Sequence, residues 1–546
     1  MSVFEKTGRF RGRTCQGEAV EVKFGFMRLL LFLLPVLTVG PLFAADYDLI
    51  IRNARIADGS GGALVNGAVA VKEGRISAVG TVTGTAEVLL DAEGKVLAPG
   101  FIDVHTHSEN LSDIPIAENF LRMGVTTIIT GNCGKSPRDL AAFFKEIETV
   151  GTTLNVASLI GHNTVREAGM GGRFLRPPTP RELATMKQLV ASAMEEGAVG
   201  LSTGLIYVPG SFARTEEIVE LAKIAAAHGG IYVSHMRHEN TRIFEAVDEL
   251  LRIAREAKIP AQLSHLKLTG PTAWGQAEQV LAKLDGARAE GLRITHDQYA
   301  YTASSTGLRQ TLPDSALEGT RADFVKRLDD PEKKAAIRAS MRQMLKGIGR
   351  EDYAYAVIAK FAEDPSLNGK SIPEVAKILR GSDTLDDQIE VILDLERRGG
   401  AGAVFHGMNE EDLVRFLKHP ATMIASDGGP RVLGQDMPHP RSYGNNARIL
   451  GRYVRELGVL TLEEAIRRMT SLPADTFGWK DRGRIVPGAA ADLVIFDPEK
   501  VSDPATYAAP HQYSTGFSEV IVNGVLAIHR GEYTGERSGR PLRRGK

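Results

Sequence analysis

Cysteine is nearly absent: 546 residues hold two, Cys15 and Cys133. Charge of one sign is also missing, because 66 basic and 67 acidic residues leave a net charge of -1. That balance offers no field for nucleic acid or an anionic membrane surface, so neither is expected as a partner. There is no repeat of fixed period and no long low-complexity tract, which excludes solenoids and propellers. The apolar stretch 29–45 is broken by Pro35, Gly40 and Pro41. It falls short of the roughly 20 apolar residues that a membrane span needs.

That stretch follows Met27 and Arg28 and ends in Ala44 and Ala45. A basic start, an apolar centre and a small-residue end describe a secretory signal peptide over about 27–45, hence a periplasmic or secreted protein. The polar residues 1–26 read as an upstream extension, and an uncleaved signal anchor is the alternative. No cysteine follows the cleavage region, so a lipoprotein anchor is not expected. Cleavage would leave Cys133 alone, without an intramolecular disulfide partner. Cys133 is then a buried filler, a nucleophile or a metal ligand.

Apolar residues make up 43% of the chain and charged residues 24%, as in ordinary globular proteins. From Asp46, "YDLIIRNARIADGSGGALVNGAVAVKEGRISAVG" alternates short strands with Gly and Asn turns. "GRIVPGAAADLVIFD" and the segment from "FSEVIVNG" onward repeat that texture near the C-terminus. Segments 46–100 and 484–546 together predict one small β-sandwich. Between them, 101–483 alternates apolar runs with amphipathic helices. The runs are "APGFIDVHTH", "TTIITGNCG", "NVASLIGHN", "AVGLSTGLIY", "GIYVSHMRHE", "PAQLSHLKLTG", "LRITHDQYAY" and "ATMIASDGGP". Eight strand-then-helix units predict an α/β fold, a (β/α)8 TIM-like barrel. A charged helical insertion of about 313–400 precedes the last unit, near the barrel mouth, and "GAVFHGM" at 402–408 is a ninth strand candidate.

Each run ends in polar residues, on the face where such barrels carry their active sites. His105 and His107 are two apart, hence on one strand face. Cys133 ends the second run, His235 the fifth, His265 the sixth and Asp427 the eighth. Any one of these alone is commonly structural, but six on five strand ends point to a metal site. Imidazole, thiolate and carboxylate together favour Zn2+ over magnesium or calcium. Zinc lowers the pKa of a bound water and polarises a carbonyl. Asp427 is the candidate to take the water's proton and return it to a leaving amine. His162, His238, His406 and His439 have no ligand role, and Tyr207 is a candidate substrate contact.

At these residues the chain resembles the amidohydrolase superfamily, and more closely the N-acyl-D-amino-acid deacylases, or D-aminoacylases. The likeness rests on "PGFIDVHTH", "GNCG", "SHMR", "SHLK", "SDGG" and "GRIVPGAAADLVIFD" and covers essentially everything after residue 46. It implies zinc-dependent hydrolysis of N-acyl-D-amino acids to a carboxylate and a D-amino acid. It implies that Cys133, His235 and His265 hold one tight zinc. His105, His107 and Asp427 would surround a weaker second position, which Cys133 bridges. It further implies that Lys267, Tyr299 and Arg441 bind the substrate's α-carboxylate, where a guanidinium fork and an ammonium suit a carboxylate. Ser304, Ser305 and Arg309 are candidates for the side-chain pocket, whose composition leans toward apolar side chains. The alternatives are a dipeptidase for C-terminal D-residues, a cyclic-amide hydrolase, or a metal-free interaction protein on the same scaffold.

Overall fold

The computed structural model describes residues 45–545, so the signal-peptide reading over 27–45 lies outside the described residues apart from Ala45. No described helix is long and apolar enough to cross a membrane. All eight predicted strands form: Phe101–Asp103, Val125–Thr130, Asn155–Ser158, Gly200–Gly204, Ile231–His235, Ala261–Leu263, Ile294–Gln298 and Thr422–Ile424. Neighbours pair in parallel, and nearly every strand residue is buried, as expected when helices cover one face and packed side chains fill the other. A parallel bridge between Thr106 and Gly428 joins the last strand to the first. The Val199 N–H donates to the Ser158 carbonyl across the junction of the third and fourth strands.

The covering helices follow from local chemistry. Pro180–Glu196 starts on Thr179, whose hydroxyl accepts from the Glu182 N–H while Glu182 reaches back, and it ends at Gly197 in a left-handed conformation. Ile243–Ala257 buries Ile243, Val247, Leu250, Leu251 and Ala254, one stripe at helical spacing.

The two chain ends share one sheet. Tyr47–Ile56, Val65–Lys72, Arg75–Gly80, Ala86–Asp91 and Val96–Pro99 join Leu493–Phe496, Phe517–Val522, Val525–His529 and Glu532–Tyr533. Val96–Pro99 pairs antiparallel with Leu493–Phe496, so the strands run on as a single nine-stranded sheet rather than two separate ones. Leu49, Ile51, Val69, Leu493, Ile495 and Ile521 share its interior. Buried polar contacts tie this domain to the barrel: Asp492 accepts from Arg482 and from Asn155 on the third barrel strand.

The predicted helical insertion is longer than its charged helices suggest. Ser304–Gly307, Ala356–Lys360 and Gly402–Phe405 form a three-stranded antiparallel sheet outside the barrel, and Leu308, Phe324, Ile358, Ile392 and Phe405 share a core beneath it. The ninth strand candidate is therefore the central strand of this sheet. Ser304–Gly307 has no apolar run to announce it.

Candidate active site

Three of the six candidate ligands sit where the backbone leaves its strand in a left-handed conformation: Cys133 at φ 53°, His265 at φ 34° and Asp427 at φ 51°. Such angles are uncommon outside glycine and cost about 1–3 kcal/mol each. The strain turns three side chains from three strands toward one point. Around Cys133 the chain needs glycine. Gly134 has φ +78°, and a Cβ there would lie 2.2 Å from Asn163 Oδ1 and 2.7 Å from the Gly204 nitrogen. Gly134→Ala should therefore lower the melting temperature by a few degrees and weaken metal retention. Gly286→Ala, in an open helical position, should be neutral or stabilising. Equal melts for the two variants would show that the Cys133 turn is not constrained.

All six side chains converge. Cys133 Sγ lies 3.3 Å from His105 Nε2, 3.5 Å from His235 Nδ1 and 3.7 Å from His265 Nε2. Asp427 Oδ1 is 3.1 Å from His107 Nε2 and 3.5 Å from His105 Nε2. Cys133–His235–His265, His105–His107–Cys133 and His105–His265–Asp427 form three overlapping sets, with donor atoms within 4.8 Å of one another. A tetrahedral zinc site with bonds of about 2.0–2.3 Å has ligand-to-ligand edges of roughly 3.3–3.8 Å. The Cys133–imidazole separations match such edges.

Carboxylates behind the imidazoles set which nitrogen faces the centre. Asp297 Oδ1 lies 3.3 Å from His105 Nδ1, and Asp297 also accepts from the His265 N–H and from Gln262. Asp297 behind Nδ1 lets His105 keep its Nε2 lone pair toward Cys133, and Glu239 Oε1 lies 3.2 Å from His265 Nδ1. Neither acid stands out in the sequence as a site residue. Glu239 is four residues after His235 and Asp297 two before Tyr299, and that spacing was their only signal.

The electrostatics are those of a cation site. Burial pushes the Cys133 thiol up, yet the surrounding imidazoles, His105 foremost, hold it well below the ordinary thiol value. Burial works against protonating His107, but Asp427 and Cys133 bring its pKa to about 10. Burial likewise raises Asp427, and Arg441, His105 and His107 outweigh it and keep the carboxyl well below its usual range. For Glu239 the Lys267 ammonium and two imidazoles overcome burial and lower the pKa to about 2. A thiolate and a carboxylate drawing protons onto neighbouring imidazoles mark a place where positive charge is wanted. The donor set fits a soft-to-borderline divalent ion.

Lys267, Tyr299 and Arg441 also come together. The Arg441 guanidinium lies 4.7 Å from the Tyr299 ring centroid and Lys267 Nζ 6.0 Å from it. Lys267 is 3% exposed and bonds to Glu239 Oε1 at 2.6 Å and to His265 Nδ1 at 2.5 Å. Arg441 Nη1 is 2.9 Å from Asp427 Oδ2, yet poorly aligned, so it remains a buried donor without a hydrogen bond. A cavity of about 690 Å³ opens over the cluster and is lined by His107, Cys133, Tyr207, Lys267, Ser304 and Asp427, among others. Arg309 is not on its wall. It lines a neighbouring hollow and lies 3.7 Å from Glu396. His162 is buried against Glu217 at 2.8 Å, away from the cluster. Tyr207 meets the His235 ring edge-on at 4.8 Å and accepts from Thr306.

A closed (β/α)8 barrel with a two-ended β-domain and a histidine, cysteine and carboxylate cluster on its strand ends defines the metal-dependent amide-hydrolase class of barrel. The chain belongs to the amidohydrolase family, whose profile matches residues 88–528. It is 36% identical over 521 residues to N-acyl-D-glutamate deacylase of Alcaligenes xylosoxydans xylosoxydans, covering 91% of this chain and 96% of that one. It is 34% identical to D-aminoacylase of the same organism, covering 91% and 98%. Among solved structures it resembles N-acyl-D-glutamate deacylase from Bordetella bronchiseptica, complexed with zinc and a phosphonate mimic of the tetrahedral intermediate. That match has a TM-score of 0.77 and 33% identity and covers 91% of this chain and 99% of that one.

Proposed function

We propose that this protein hydrolyses the amide bond of N-acyl-D-amino acids with a bound zinc ion, releasing a carboxylate and a D-amino acid. The observation that carries it is the convergence of Cys133, His235 and His265 beside His105, His107 and Asp427. Cys133, His235 and His265 would hold the tight position. His105, His107 and Asp427 would hold a second, weaker one, with Cys133 available to both. A divalent ion there supplies Lewis-acid polarisation of the acyl carbonyl and acidifies a water molecule.

The chain's own groups do the rest. Asp427, kept ionised by Arg441 and the imidazoles, takes the proton of the attacking water. It delivers that proton to the amide nitrogen as the C–N bond breaks. Asp297 and Glu239 hold the imidazoles in orientation. Lys267, the Tyr299 region and the unsatisfied Arg441 Nη1 receive the α-carboxylate and place the scissile bond beside Asp427. The preference for the D-enantiomer is drawn from the deacylase relatives. The pattern at 27–45 supports export to the periplasm or secretion.

The test is amine release from the N-acetyl derivatives of D- and L-leucine and D- and L-glutamate, with zinc-loaded and chelator-treated protein. Release from D-forms alone, lost on chelation and restored by zinc, is the expected result. Release from L-forms alone would reverse the handedness. Turnover that survives complete metal removal would rule out the metal mechanism.

A further inference from the structure

We infer that the cavity wall facing the carboxylate-binding groups is an anion subsite, and that the preferred acyl group is itself negatively charged, a dicarboxylic acyl such as glutaryl. This rests on the deacylase reading above.

In an eight-stranded closed barrel each strand faces the one four positions on. Lys267, Tyr299 and Arg441 follow the sixth, seventh and eighth strands. Opposite them, after the second, third and fourth, come Lys135 and Arg138, then Arg173, then Tyr207 and Val208. All five of these latter residues line the cavity that holds Cys133 and Asp427. In a substrate of the form acyl–NH–CH(R)–COO⁻ the acyl chain and the carboxylate lie on opposite sides of the scissile bond. With the carboxylate toward the sixth to eighth strands, the acyl chain runs toward Lys135 and Arg138.

The charges there are not balanced. On the carboxylate side Lys267 is answered by Glu239 at 2.6 Å and Arg441 by Asp427 at 2.9 Å. Arg173 is answered by Glu167 at 3.1 Å. Among the described residues, Lys135 and Arg138 have no carboxylate within ion-pair distance, and both side chains are exposed to the solvent of the cavity mouth. The path continues into the neighbouring hollow of about 500 Å³, which shares Lys135, Arg173, Tyr207 and Val208 and adds Arg309 and Arg321. Glu396 is its one lining acid among the described residues. An excess of one sign of charge on a cleft wall concentrates the opposite ion. An acetyl group carries no charge to answer these cations. The free carboxylate of a dicarboxylic acyl would be attracted to them, whereas the ammonium of an aminoacyl group would be repelled.

The experiment compares kcat/KM for N-glutaryl, N-pentanoyl and N-(5-aminopentanoyl) derivatives of the D-amino acid whose N-acetyl form turns over fastest. The expected order is glutaryl, then pentanoyl, then 5-aminopentanoyl. Glutaryl should lead pentanoyl by about three- to tenfold at low salt, the range two solvent-screened charge contacts supply. The glutaryl-to-pentanoyl ratio should fall toward one at high salt and in the Lys135→Ala/Arg138→Ala double variant. Pentanoyl equal to or better than glutaryl in the wild type overturns the proposal. A glutaryl preference that persists undiminished in the double variant also overturns it. Turnover of no N-acyl-D-amino acid sinks the deacylase reading itself, and with it this subsite; N-acetyl turnover without a glutaryl preference sinks only the subsite.

Discussion

Asp427→Asn should lower kcat by about a thousandfold, within the range attributed to a positioned proton-transfer group. The carboxylate lies 3.1 Å from His107, 3.5 Å from His105 and 2.9 Å from Arg441, and no other acid is this close to both imidazoles among the described residues. Asparagine keeps the shape and one acceptor oxygen, but it cannot take a proton from water at neutral pH. Breaking a buried ion pair by removing one partner costs about 3–5 kcal/mol. Here asparagine keeps a carbonyl oxygen facing Arg441, whose Nη2 also donates to the Ser305 carbonyl, so the loss should be smaller and the protein should stay folded. Circular dichroism and zinc content check this, because Cys133, His235 and His265 are untouched. A folded, zinc-containing variant that retains more than a tenth of wild-type kcat would remove Asp427 from the proton-transfer role.

Cys133→Ser should abolish tight metal binding. The thiolate is the one sulfur donor and belongs to two of the three ligand sets, and its sulfur is within 3.7 Å of three imidazole nitrogens. Serine is nearly the same size, but its hydroxyl stays protonated and binds zinc poorly. Loss of an outer partner of a metal ligand alone costs about 10- to 100-fold in affinity, so loss of this donor should exceed a hundredfold. Competition with a chromogenic chelator measures it directly. The melting temperature without metal should change little, since the substitution leaves the packing intact. Zinc affinity within tenfold of wild type would mean that Cys133 is a buried filler after all.

The barrel was legible because its signals are local. Each apolar run and each amphipathic helix is written within ten to twenty residues, and the rule that sites lie at strand C-termini turns a run's last polar residue into a site candidate. That is how His105, His107, Cys133, His235, His265 and Asp427 were found. Asp297 and Glu239 were not, because an acid near a strand end carries no sign of what it will face. The Ser304–Gly307 strand of the insertion was not, because a strand of small polar residues has no periodicity to read.

By itself the sequence determined the fold class, the set of donor atoms and hence the type of ion they suit, through residue types and short-range spacing. The tertiary structure alone decided which donors share a centre and what stands behind them. His105 meets Asp297 across 192 residues, and Cys133 meets His265 across 132. It also decided that Lys267 and Arg441 are paired with buried acids while Lys135 and Arg138, on the opposite wall, have no such partner among the described residues. The physical reason is barrel closure. It sets opposite strands face to face across a low-dielectric mouth, and no local pattern in the chain records which loops will meet there.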